Sequence, residues 1–130
     1  MPTKSEVRVE QLLDLAKILR SPGGCPWDQK QGLKEMSGFV QKEAVELDEA
    51  IDENDPAHIR EELGDVLFNL CLISAIAEEK GMFTLSEVVT TTEAKIKARH
   101  TWVFGEDKVA DADEALTLWK RNKLRERGQK

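Results

Sequence analysis

The chain has 130 residues, of which 40% are hydrophobic, 34% charged and 5% aromatic, with no tyrosine and four prolines. That length suits one compact domain over residues 1–130 and is short for two, and the composition favours helices over strands, so an all-α fold is expected. Net charge is −6, yet Trp119 to Lys130 carries six basic residues against Glu126, or +5, leaving −11 on residues 1–118; so acidic a body argues against a nucleic-acid partner.

Cys25 stands in a Gly/Pro loop and Cys71 inside an apolar run, with no CxxC pair, a usage that fits free thiols in a reducing compartment. Met1 to Lys17 has charges every few residues, and no stretch approaches the roughly 18 apolar residues of a membrane span. A cytoplasmic protein without a membrane partner is expected.

Periodicity and turn signals divide the chain into helices. The first is expected from Ser5 to Arg20, with Val9, Leu12, Leu13, Ala16 and Leu19 at helical spacing. Ser21 to Pro26, with two prolines and two glycines, breaks it. A second helix spans Leu33 to Glu53 and stops at Asn54-Asp55-Pro56, where Asp55 suits an N-cap and Pro56 a first helical position. The third continues to Lys80, and Gly81 supplies its stop. Thr84-Leu85-Ser86-Glu87 has the capping-box pattern and opens a fourth helix that ends near His100. After a loop around Gly105, a fifth runs from Asp113 to Arg127. The architecture expected is an antiparallel bundle of four to five helices.

The third helix is apolar nearly all round. Phe68, Leu72 and Ile76 fall on the side opposite Leu63, Leu67 and Leu70. Both sides call for burial, which a small monomeric core rarely provides, so association through this central helix into a homodimer or higher homo-oligomer is expected. The alternative is that the first and fourth helices cover it within one chain.

Four carboxylates interrupt this pattern. On the second helix Met36, Val40, Leu47 and Ile51 share an arc, with Phe39 and Ala44 at its margins, and Glu43 projects from the middle; Glu46 follows three residues later. An ionised carboxylate on an apolar face is costly unless something positive meets it. The third helix repeats the spacing with Glu62 and Asp65, and Asn69 lies a turn further on. Measured back to Asp55, Glu46 and Asp65 lie at about 13 and 15 Å along their helices at ~1.5 Å per residue, level with each other in an antiparallel hairpin. Four acids then converge, and a divalent cation relieves their repulsion. All-oxygen ligands select Mg²⁺ first and Mn²⁺ second. Taken singly, either acidic pair reads better as a solvated helix face; the two pairs together, one of them on an apolar arc, at matched distances from a turn, favour the metal site. A di-iron carboxylate bundle needs ExxH elements that neither His58 nor His100 supplies.

Cys25-Pro26-Trp27-Asp28, Glu43-x-x-Glu46, Glu61-Glu62-Leu63-Gly64-Asp65 and Arg99-His100 before Val103-Phe104 together resemble the MazG nucleotide pyrophosphohydrolases, in order and over nearly the whole chain. The resemblance implies a helical, usually homodimeric enzyme that hydrolyses the α–β phosphoanhydride of ribo- and deoxyribonucleoside triphosphates to monophosphate and pyrophosphate. It implies that Glu43, Glu46, Glu62 and Asp65 are metal ligands and catalytic groups, with one glutamate, Glu46 for instance, free to act as base. It also implies that Lys95 and Arg99 meet substrate phosphates and that Asn69 lies beside the metal. Asp28 belongs to the same substrate-binding loop as Trp27, whose indole suits either stacking on a base or packing onto the core. Trp119 reads as a packing anchor. Two positions depart from many relatives, which carry an acid where Lys42 stands and a second arginine where Ala98 stands. A catalytically silent helical dimerisation or adaptor module is the competing expectation, and it leaves Glu43 unexplained.

Overall fold

The structure, a computed structural model, describes residues 7–128. Among them are seven helices: α1 (Glu10–Arg20), α2 (Pro26–Lys30), α3 (Leu33–Glu53), α4 (Pro56–Glu79), α5 (Leu85–Arg99), α6 (Thr101–Phe104) and α7 (Ala112–Gly128). No strand occurs among the described residues, so the fold is all-α as expected. The expected start of the first helix at Ser5 lies outside the described residues.

The chain forms two compact units, the first ending at Leu85 and the second beginning at Ser86. In the first unit α3 and α4 make an antiparallel hairpin whose turn follows from two residues. Asn54 closes α3 in the left-handed conformation at φ 58°, which its short polar side chain tolerates. Asp55 then caps α4, its Oδ1 accepting from the Ala57 amide at 3.1 Å, with Pro56 in the first turn. At the other end of α3, Glu35 accepts the Gly32 amide at 2.9 Å.

α1 packs against α4, and the core lies among α1, α3 and α4: Leu13, Ala16, Met36, Leu72, Ala75 and Ile76 are buried, with Phe39 and Phe68 packed against them. Of the two apolar sides of α4, this chain covers one and not the other. Leu72 and Ile76 are buried, whereas Leu63, Leu67 and Leu70 are exposed. One α3 position differs from expectation, because Ile51 is 52% exposed and Ala50 is fully buried. Seen down the axis, Ala50 lies about 40° from Met36 and Ile51 about 60° on the other side, so the small residue takes the packed position.

Two short helices occupy segments expected to be loops. Only Ser21 to Cys25 breaks the chain; Cys25 is extended at φ −96° and ψ 120°, and Pro26, whose ring presets φ, starts α2. Gly24 is required here, since a Cβ would meet the Ile18 and Leu19 carbonyls at the end of α1. α6 restarts the chain directly after His100, with the Val103 and Phe104 amides bonded to the His100 carbonyl at 3.0 Å.

In the second unit, Leu118 and Asn122 of α7 are buried, and α5 buries no residue. Asn122 donates from Nδ2 to the Arg99 carbonyl at 3.2 Å and to the Thr101 hydroxyl at 2.9 Å, tying α7 to the α5–α6 junction.

Candidate metal centre

The α3–α4 hairpin brings three of the four expected acids to one point. Glu43 from α3 and Glu62 and Asp65 from α4 each offer a carboxylate oxygen, and these oxygens lie within 4.8 Å of one another. Glu62 is 8% exposed, on a helix whose next turns run into the core. The fourth acid, Glu46, is not one of this trio but neighbours Glu43 closely enough to act on its proton.

The electrostatics are those of a site short of positive charge. Glu43 Oε2 and Glu62 Oε2 are shielded from solvent and have no hydrogen-bond partner. An orphaned carboxylate oxygen is among the costlier groups a protein can bury. Loss of hydration, then the adjoining Glu46 carboxylate, then the charges of Asp65 and Glu62, push the Glu43 carboxyl from its ordinary 4.5 up to about 7.

A hard divalent cation fits this donor set, which offers oxygen and no sulfur. His58 partly fills the need on one side. Its Nδ1 lies 2.8 Å from Glu53 Oε2 and its Nε2 3.3 Å from Glu62 Oε1. Hydrogen bonding to Glu53 is the main reason its pKa is raised. In the sequence His58 is weighed only against the ExxH pattern, and its i,i+4 spacing to Glu62 is the one sign of this contact.

Asn69, a turn beyond Asp65 on α4, is half-buried. On α2, Trp27 packs its ring on Phe39 with centroids 5.3 Å apart and keeps 51% exposure. Phe39 precedes Glu43 by one turn of α3, so the residue that Trp27 packs on shares a side of α3 with Glu43.

Asp28 enters through its backbone. Its carbonyl and that of Gln31 accept from Arg20 Nη1 at 2.6 and 2.8 Å, while Arg20 Nε and Nη2 bond the Glu79 carboxylate at 2.7 and 3.0 Å. The pair holds the Arg20 pKa up and the Glu79 pKa down, chiefly through these hydrogen bonds. Sequence reasoning missed Arg20, whose partners lie as far as 59 residues away and carry no periodic signature.

Lys95 and Arg99 lie on α5 in the second unit, where with Thr91, Ala94, Glu126 and Arg127 they line an open cavity of about 540 Å³. Arg99 is engaged there: its Nε donates to Glu126 Oε2 at 3.3 Å, and its guanidinium lies 5.4 Å from the Trp119 ring centroid. Trp119 thus anchors cations, with Lys123 Nζ at 5.2 Å from the same ring.

An all-α fold with carboxylates converging from a helical hairpin defines the class, a helical protein with an acidic cluster compatible with a metal ion. Residues 31–104 match the model of the MazG nucleotide pyrophosphohydrolase domain, and the chain belongs to that family. It is 38% identical over 121 residues to the nucleoside triphosphate pyrophosphohydrolase/pyrophosphatase MazG of Thermotoga maritima, covering 93% of this chain and 46% of the relative. To the nucleoside triphosphate pyrophosphohydrolase of Escherichia coli it is 32% identical over 124 residues, covering 95% and 47%. Similarity to YabN of Bacillus subtilis is 42% over 113 residues, covering 87% and 23%. The chain thus spans about half the length of these relatives, or less. The crystal structure of a mazG-related protein from Thermotoga maritima superposes with a TM-score of 0.73 at 32% identity, covering 88% of this chain and 98% of that one.

Proposed function

We propose that this chain is a Mg²⁺-dependent nucleoside triphosphate pyrophosphohydrolase that cleaves ribo- and deoxyribonucleoside triphosphates to monophosphate and pyrophosphate, as a house-cleaning enzyme of the nucleotide pool. The single observation that carries this reading is the meeting of Glu43, Glu62 and Asp65 within 4.8 Å, two of them with a shielded oxygen that nothing satisfies. Membership of the MazG family supports the bond and the substrate class.

On this reading Glu43, Glu62 and Asp65 hold Mg²⁺, or Mn²⁺ in its place. Such an ion neutralises phosphate charge and lowers the pKa of water. Glu46 stands beside the cluster, half-buried and free of the trio, and is the group suited to take a proton from the attacking water. Asn69 orients ligands from the next turn of α4. Trp27 offers its half-exposed indole to the base, with Asp28 in the same loop. Lys95 and Arg99 are the phosphate cations, and Arg99 has to exchange Glu126 for substrate.

Residues 1–130 are proposed to make up a single MazG-like domain. The exposed Leu63, Leu67 and Leu70 of α4 support association with a second copy, making the enzyme a homodimer or higher homo-oligomer. The two unpaired cysteines support a cytoplasmic location. Among the described residues no helix is long and apolar enough to cross a membrane.

The test is incubation of the purified protein with canonical and damaged nucleoside triphosphates and Mg²⁺, with products resolved by ³¹P NMR. Equal monophosphate and pyrophosphate are expected. Orthophosphate with diphosphate would contradict the bond assignment, and no turnover would favour the adaptor module.

A further inference from the structure

α2 carries Trp27 and Asp28 yet buries none of its residues, so no apolar core fixes where it lies. Polar contacts and one ring contact hold it instead. The Arg20 side chain is 9% exposed and uses both edges of its guanidinium, one for the Asp28 and Gln31 carbonyls and the other for both Glu79 oxygens. The first two acceptors stand in the last turn of α2 and at its C-cap; the Asp28 carbonyl also accepts the Gln31 amide at 3.3 Å, and the Gln31 carbonyl follows the helix end. Glu79 is the last residue of α4, the helix that carries Glu62 and Asp65. One guanidinium therefore links the tryptophan-bearing loop to the acid-bearing helix. The ring of Trp27 braces the same loop on Phe39, one turn from Glu43 on α3.

We propose that Arg20 is a positioning residue for substrate: by spanning Glu79 and the end of α2, it sets Trp27 as the wall on which the nucleotide base stacks beside the acids. This rests on reading the acidic cluster as a triphosphate-hydrolysing centre. Arg20 itself touches no substrate. A lysine cannot replace it, because a single ammonium has no planar fork to serve two carbonyls and a carboxylate together.

The experiment compares Arg20→Lys, Arg20→Met and Trp27→Ala with wild type in kcat and KM for a nucleoside triphosphate, and in Mn²⁺ binding. In 5-fluorotryptophan-labelled protein the Trp27 ¹⁹F resonance is assigned by its loss in Trp27→Phe. Both Arg20 variants are expected to raise KM roughly tenfold while kcat and Mn²⁺ binding stay near wild type, because the base wall moves and the acids do not. Their Trp27 resonance shifts, and Trp27→Ala raises KM comparably. If the methionine variant fails to fold, the lysine variant decides, since it keeps a cation opposite Glu79. An unchanged KM or an unmoved Trp27 resonance in Arg20→Lys overturns the proposal, as does an unchanged KM in Trp27→Ala. Loss of kcat together with Mn²⁺ binding also overturns it, by reducing Arg20 to a general structural role. Absence of hydrolysis in wild type would instead sink the underlying enzyme reading, and the ¹⁹F shift still reports whether Arg20 positions Trp27.

Discussion

Glu43 is where the cost of the site is concentrated. Its carboxyl is raised to about 7, first by desolvation and then by Glu46, so the folded metal-free protein holds a proton there that the unfolded chain releases near 4.5. An acid whose pKa rises on folding favours the native state at low pH, and that advantage is lost as pH climbs through the window from about 4.5 to about 7. The melting temperature without metal should therefore fall across that window, and Glu43→Gln should flatten the fall. His58, raised by its bond to Glu53, loses stabilisation in the same direction, so the difference between wild type and Glu43→Gln isolates the carboxyl. A pH slope identical in the two proteins would refute this. With saturating Mg²⁺, the ion displaces the Glu43 proton, so stabilisation by magnesium should grow with pH instead. For activity, removing a ligand should cost more than the tenfold to hundredfold typical of outer partners, so Glu62→Gln should lower kcat/KM by on the order of a hundredfold or more.

At the scale of elements, the α3–α4 hairpin was the most legible part of the chain, because its signals are local. Asn54, Asp55 and Pro56 write the turn, helical periodicity sets the arcs, and equal distances from the turn level the acids. Glu43, Glu62 and Asp65 follow from that alone, and Glu46 stands a little apart. α2 and the Arg20 clamp were not legible. A proline reads as a breaker until the structure shows it in the first turn of a new helix, and a buried guanidinium with distant partners leaves no pattern in sequence. Leu72 of α4 is 3% exposed within the core, so Leu72→Ala should cost about 2–5 kcal/mol in denaturant unfolding. Leu70 is 46% exposed on the other side. Leu70→Glu should leave the fold intact by circular dichroism and shift sedimentation of the native chain from an associated species to a monomer. A wild-type protein already monomeric at micromolar concentration would contradict association through α4.

Taken as a whole, the molecule carries an electrostatic cost at its acid cluster that the proposed metal would relieve. Among the described residues the shielded side-chain atoms without a hydrogen-bond partner are the Ser74 hydroxyl and two oxygens of the acid cluster, Glu43 Oε2 and Glu62 Oε2. Mass action then makes metal a stabiliser: at a hundred times its dissociation constant, a cation bound only by the native state adds about 2.7 kcal/mol. All-α architecture and family followed from composition and motif order. The division at Leu85 and Ser86 did not, since no Pro/Gly-rich linker marks it and α5 runs across it. The most direct measurement is a Mn²⁺ titration followed by electron paramagnetic resonance at pH 8 for wild type and Glu62→Gln. The account predicts saturable binding to wild type that Glu62→Gln abolishes while remaining folded. Equal binding by both proteins, or none by wild type, would contradict it.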